Sequence, residues 1–230
     1  MSAKLFTWLP DFPEILEKEK HIEYLISLLK KLIIPTYSEK YEQWRLYFIY
    51  CALSGLKAFQ ISLELDTKKK VIKFLKRFIK EETDGIIIYS SPFMPFNIPE
   101  HFDVVSLYFL SICFHYCEES YLEKQKLKIE AKLKAQPQKM YDLREIYCWC
   151  AVFSIYGLEI PEYDKAYISN YIGKLKTYDG AYSFEPNSES HASAVYCVVA
   201  IYRILEININ HSRLLYWLAN RESKFGLSVK

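Results

Sequence analysis

The sequence predicts an all-α fold: a stack of helical hairpins forming an incomplete ring of about four to five hairpins, organised as one domain over residues 1–230. Three observations carry this. Amphipathic segments, with apolar residues repeating at three and four, alternate with segments apolar on every side, so an outer and an inner helix form each hairpin. Tyr50, Tyr108, Tyr147 and Tyr196 hold equivalent places in the apolar segments and recur at intervals of about 40 to 60 residues, the period of a helical array. Six glycines against twenty tyrosines and fourteen phenylalanines leave few turns and require an interior lined by large rings. The concave side of an open solenoid is wet and polar. Inner helices carrying rings on all faces fit instead a closed barrel with an aromatic-lined cavity for a long apolar ligand.

In chain order, Ile22, Leu25, Ile26, Leu29, Leu32 and Ile33 mark the first outer helix, with Lys30 and Lys31 on its other face. Tyr47 to Leu56 is the first inner helix. Val71, Ile72, Leu75, Phe78 and Ile79 mark the next outer helix, capped by Asp66 or Thr67, with Lys68-Lys69-Lys70 as a solvated start. A loop with Pro92, Pro95 and Pro99 leads to an inner helix from Leu107 to Cys117, and a more polar outer helix covers about Tyr121 to Leu133. The inner run after Asp142-Leu143-Arg144 reaches Leu158 with Ser154 as its one clearly polar member. An outer helix holds Tyr167, Ile168, Tyr171, Ile172 and Leu175; a loop from Thr177 to Ser190 follows, and then an inner helix after His191. A last outer helix, about residues 209–221, holds Leu214, Leu215, Trp217 and Leu218.

Helices apolar all round and too short to span a bilayer are expected to be buried on all sides. Arg144 and His191 then stand at the N-terminal ends of buried helices, where free N–H groups and the dipole favour an anion, and an added cation points to a phosphate. The plainer readings are that Arg144 pairs with Asp142 or Glu145 at the surface and that His191 is an ordinary helix-start residue. A net charge of +2 implies no nucleic-acid field. Six cysteines, mostly in apolar runs, and no secretory leader in residues 1–10 point to reduced, buried thiols in a cytoplasmic protein. Cys113 and Cys117, with His115 between them, are read as core, as are Cys148 and Cys150.

Five segments, colinear over about residues 17–226, carry a resemblance: Arg45-Leu46 followed by Ala52-Leu53-Ser54-Gly55-Leu56; Pro95-Phe96-Asn97 before Phe102-Asp103; Asp142-Leu143-Arg144 with Tyr147-Cys148; Tyr178-Asp179-Gly180; and Glu189-Ser190-His191. With them the chain resembles the β subunits of α/α-toroid protein prenyltransferases, most of all the type I geranylgeranyltransferases. The resemblance implies prenyl transfer from an isoprenoid diphosphate to the cysteine of a CaaX carboxy terminus, with an α subunit as partner and zinc holding the acceptor thiolate. It assigns Arg144, His191 and Lys230 to the diphosphate and Tyr47, Tyr147 and Cys148 to the wall of the lipid cavity. No catalytic residue is assigned.

Departures from the family's pattern qualify that reading. Gly226-Leu227-Ser228-Val229-Lys230 aligns with the start of a motif in which Leu227 replaces an arginine, and every zinc ligand would follow Lys230, so none is expected in this chain. Ala192-Ser193 replaces a Gly-Gly pair and Ala181 a glycine, each Cβ tightening the space where backbone and diphosphate meet. If the chain is truncated there, the last helix should expose an apolar edge of several hundred Å² through Leu214, Leu215, Trp217 and Leu218. A tyrosine at position 47 argues for the shorter farnesyl lipid, against the other motifs. Farnesyltransferase β and a catalytically degenerate scaffold that binds an α subunit are the alternatives; a terpene cyclase would need an Asp-rich motif that the sequence lacks.

Overall fold

The computed structural model describes residues 17–33, 44–82, 85–89, 103–135, 142–208, 212–223 and 226–227. The chain divides into two compact units, residues 1–128 and 129–230. The first holds helices α1 (Lys18–Leu32), α2 (Arg45–Ala58) and α3 (Leu65–Leu75), an antiparallel pair β1 (Ile79–Glu82) and β2 (Gly85–Ile88), and helix α4 (Val104–Tyr116). Helix α5 (Lys126–Lys134) spans the division. The second unit holds α6 (Leu143–Ile155), α7 (Glu162–Lys174), α8 (Ala192–Ile204), α9 (Ser212–Ala219) and a short antiparallel pair, β3 (Glu222–Ser223) with β4 (Gly226–Leu227). Outer and inner helices alternate as the sequence predicts: α1 packs on α2 and α2 on α4 in the first unit, and inner helices α6 and α8 pack side by side in the second.

The inner helices share their ends as well as their apolar composition. Three are capped by a side chain at the N-terminus. Asp103 accepts from the N–H groups of Val105 and Ser106 at 3.0 and 3.2 Å, Asp142 from Arg144 N–H at 2.7 Å, and His191 Nδ1 from Ser193 N–H at 3.1 Å. Each of the two aspartate caps contributes about 1 kcal/mol. At the other end, α2, α4, α6 and α8 close on one motif, with a left-handed residue just past the helix: Gln60, Glu118, Gly157 and Glu206, at φ between 52° and 60°. The following N–H then reaches back to the helix, as Ile61 to Leu56 O, Glu119 to Phe114 O, Leu158 to Phe153 O and Ile207 to Tyr202 O, at 2.8–2.9 Å. A glycine stands at one of these four positions. The other three side chains accept a conformation that costs a non-glycine residue about 1–2 kcal/mol.

Several expectations need correction. The outer helix through Ile79 stops at Leu75 and gives way to a 3₁₀ turn, Lys76–Phe78, and then to β1. β2 holds the branched run Ile86-Ile87-Ile88, all buried, whose stiff side chains favour a strand. Asp66 and Thr67 lie inside α3 rather than capping it, and Glu64 at the cap makes no side-chain bond. Of the lysines that follow, Lys69 and Lys70 are exposed as expected, whereas Lys68 is half-buried and pairs with Glu118 at 2.5 Å. Nor are the inner helices buried on all sides. Tyr47 and Phe48 of α2, Ile155 of α6, and Tyr196 and Val199 of α8 lie exposed, so each of these helices leaves some apolar surface open. The fully apolar edge expected on α9 is half covered, with Leu214 and Trp217 buried while Leu215 and Tyr216 are exposed. The proline loop and Lys230 lie outside the described residues.

Candidate functional site

Helices α6 and α8 run side by side in the same direction. The hydroxyls of Tyr147 and Tyr196, each at the fifth position of its helix, meet at 3.1 Å with their rings edge to face. Their N-termini therefore lie together, and two dipole ends face one place. Arg144 and His191 meet there over a third residue. The Arg144 guanidinium carbon sits 4.9 Å from the centre of the Phe184 ring, and the His191 ring is 5.3 Å from the same ring. Phe184 is thus the platform that brings the two together.

Each of the two also satisfies its plainer reading. Asp142 accepts from Arg144 Nε at 3.2 Å and from Nη2 at 3.0 Å. That bond raises the guanidinium's pKa further. Burial pushes the Asp142 carboxyl up, but the side-chain and backbone hydrogen bonds from Arg144 outweigh it and leave the carboxylate lowered. The Arg144 side chain is 66% exposed, so this pair adds little stability; its effect is to fix the fork's orientation. His191 is the N-cap of α8, and a ring accepting at Nδ1 carries its hydrogen on Nε2. It enters the site as a neutral donor rather than as the added cation expected. With Arg144 balanced by Asp142, the pull on an anion comes mainly from the paired helix ends, sharpened by the imidazole N–H.

The loop that delivers Phe184 and His191 turns on Asp179. Its Oδ1 accepts from Thr177 Oγ1 at 2.5 Å and Ala181 N–H at 3.3 Å; its Oδ2 accepts from Ser190 Oγ at 2.7 Å and the Trp217 indole N–H at 2.9 Å. Burial pushes this carboxyl up, but the four donors outweigh it and hold the carboxylate below its ordinary value. The loop is closed further by His191 N–H donating to Tyr182 O at 2.9 Å. Gly180 adopts φ +92°, and a Cβ there would stand 2.5 Å from Cβ of Arg213 on α9. Glycine is required at that point both by conformation and by space. Ala181, in the place of a family glycine, is fully buried.

Tyr147 is half-buried where α6 meets α8, and Cys148, one residue on, is 4% exposed. In the first unit, Tyr47 is 40% exposed and stacks into a ring cluster with Trp44, Phe48, Tyr50 and Phe109. A hydrogen bond to Cys51 raises its phenol. Cys113, Cys117 and Cys150 lie in the core, where burial pushes all three thiols up, that of Cys117 to about 11. Among the described residues no three His, Cys, Asp or Glu side chains gather where a metal ion could be held. The described residues offer no site that fits the zinc implied by the resemblance.

Phe184 and Trp217 escaped the sequence reading. Phe184 is one of three rings, with Tyr178 and Tyr182, in a loop without periodicity, and Trp217 reads as one member of an apolar stripe.

Hairpins of outer and inner helices, with an anion-attracting end where parallel inner helices meet, define an α/α-toroid type of chain. The family model of the prenyltransferase alpha-alpha toroid domain matches residues 16–228, and the chain belongs to that family. It is 25% identical to the geranylgeranyl transferase type-1 subunit beta of Arabidopsis thaliana over 91% of this chain and 65% of that protein. It is 23% identical to the protein farnesyltransferase subunit beta of Schizosaccharomyces pombe, covering 89% of this chain and 54% of that one. Its fold matches a Candida albicans protein geranylgeranyltransferase-I complexed with GGPP at a TM-score of 0.74 and 17% identity, over 91% of this chain and 65% of the other. The chain spans less than two thirds of the length of each.

Proposed function

We propose that this chain is a β-type subunit of a protein prenyltransferase, of the type I geranylgeranyl kind, and that the two units form one toroid domain. The observation that carries the reading is the meeting of Arg144 and His191 over Phe184 at the joined N-termini of α6 and α8. There an isoprenoid diphosphate places its oxygens against the helix N–H groups, the guanidinium edge not taken by Asp142, and the imidazole Nε2–H. Its chain lies along the apolar face that Tyr147 and Tyr196 open, with Cys148 behind. As the carbon–oxygen bond to the diphosphate breaks, charge grows on the departing oxygens, and the same donors stabilise it. Lys230 is a second cation for that group. The acceptor is the cysteine thiol of a CaaX protein, an α subunit completes the enzyme, and the cytoplasm is its place. Zinc would come from residues other than those described.

Calorimetric titration with geranylgeranyl diphosphate tests this. Removing a charge-assisted bond costs about 1.5–3 kcal/mol, so Arg144→Ala and His191→Ala should each weaken binding by roughly tenfold or more. Unchanged affinity in both variants would overturn the assignment. A second reading, farnesyl preference, is favoured by the exposed ring of Tyr47.

A further inference from the structure

We propose that Asp179 is a positioning residue: it holds His191 in place as cap and donor through Ser190, and fastens α9 to that arrangement through Trp217. The inference rests on the diphosphate reading for its purpose and on hydrogen-bond geometry for its substance. One carboxylate gathers four donors from three separate stretches, namely the turn at Thr177 and Ala181, the loop end at Ser190, and α9 at Trp217. Trp217 Nε1 also lies 2.9 Å from Ser190 Oγ, so the indole N–H is shared between the two groups. Ser190 is buried and Trp217 is 5% exposed, so neither donor has water as a ready substitute.

The geometry then passes to His191 by a short route. Ser190 immediately precedes it, and the His191 N–H is fixed on Tyr182 O. With the backbone held at both points, the imidazole can turn Nδ1 to the Ser193 N–H and Nε2–H outward. If Ser190 is released, the cap residue gains the freedom to leave both bonds. At the far end, the Arg221 guanidinium lies 4.3 Å from the centre of the Trp217 ring, so the network runs from the last helix to the diphosphate end of α8. Supporting groups of this kind fix the tautomer and orientation of a functional imidazole without touching its ligand.

The test reads His191 directly. The chain has five histidines, so the ring ¹⁵N and ¹H signals of His191 can be assigned by their loss in His191→Gln. The wild type should show hydrogen on Nε2 and an accepting Nδ1. In Asp179→Asn that bias should collapse toward a mixture of tautomers, with affinity for inorganic pyrophosphate falling by about tenfold. Trp217→Phe, which removes the indole donor but keeps a ring, should give a smaller change of the same kind. Ser183→Ala is the structural control: it removes bonds to Leu175 O and Glu185 O in the same loop and should lower stability without altering the tautomer. A folded Asp179→Asn with the wild-type tautomer overturns the proposal. Should Asp179→Asn fail to fold, Trp217→Phe and Ser190→Ala decide by the same signals. A tautomer that collapses in Asp179→Asn while the wild type binds no pyrophosphate upholds the positioning role and refutes the diphosphate reading.

Discussion

Replacing Gly180 by alanine should be among the most damaging single-methyl additions available in this chain. Two separate costs meet there. At φ +92° an L-residue is held in a region that costs about 1–2 kcal/mol. The new Cβ would also stand 2.5 Å from Arg213 Cβ and 3.4 Å from the Arg213 carbonyl carbon. That contact is with the root of a side chain and with backbone, neither of which can swing away, and overpacking of this kind costs about 1–3 kcal/mol. The sum is a loss of about 2–5 kcal/mol. Gly157→Ala supplies the comparison, since Gly157 is also left-handed, at φ +56°, with nothing within 4 Å of an added Cβ. It should lose only the conformational part, about 1 kcal/mol after the unfolded-state gain. Urea denaturation followed by circular dichroism measures both. Arg213→Ala keeps the obstructing Cβ and should not rescue Gly180→Ala. Arg213→Gly removes it and should recover more than the roughly 1 kcal/mol that a helical glycine costs. Gly180→Ala falling within 1 kcal/mol of Gly157→Ala, or equal rescue by both Arg213 variants, would refute the steric argument.

Glu206→Gly should stabilise the chain by roughly 0.5–1 kcal/mol, read as a higher urea midpoint, because glycine takes the left-handed cap of α8 without the Cβ penalty; an unchanged midpoint would mean that the cap is already relaxed. The Asp179 carboxyl is held below its ordinary value of 3.8, so its contribution is present above that pH and is lost as pH falls through the lower folded value. Acid titration of stability should therefore be shallower in Asp179→Asn than in the wild type below about pH 4. Burial raises the Cys117 and Cys197 thiols from 9.0 to about 11; the native state keeps those protons where the unfolded chain releases them, and stability should fall from pH 9 to 11. The double alanine variant should lose less over that interval. Tyr47→Thr should shift diphosphate preference toward the longer lipid in a competition assay, and an unmoved ratio would remove that ring from the question of chain length.

Most of the helical frame was legible because its signal is repeated: each outer helix carries a stripe, each inner helix a nearly unbroken apolar run. What could not be read has local physical reasons. Ile86-Ile87-Ile88 is too short for periodicity to separate strand from helix. The left-handed ends at Gln60, Glu118 and Glu206 carry no glycine to announce them. The helix-start positions of Arg144 and His191 were legible, but the ring that unites them was not. A distance across a loop leaves no trace in residue spacing. The charge on His191 was misjudged for a related reason: its acceptor role depends on where the Ser193 N–H points, which only the folded cap decides.

The buried thiols set a limit on what this chain can do to itself. Cys113, Cys117, Cys150 and Cys197 are all pushed toward the neutral form by burial. A neutral thiol is a poor nucleophile toward an allylic carbon. If an isoprenoid is held against α6 and α8, the Cys150 and Cys197 sulfurs of those helices are disfavoured as sites of self-alkylation.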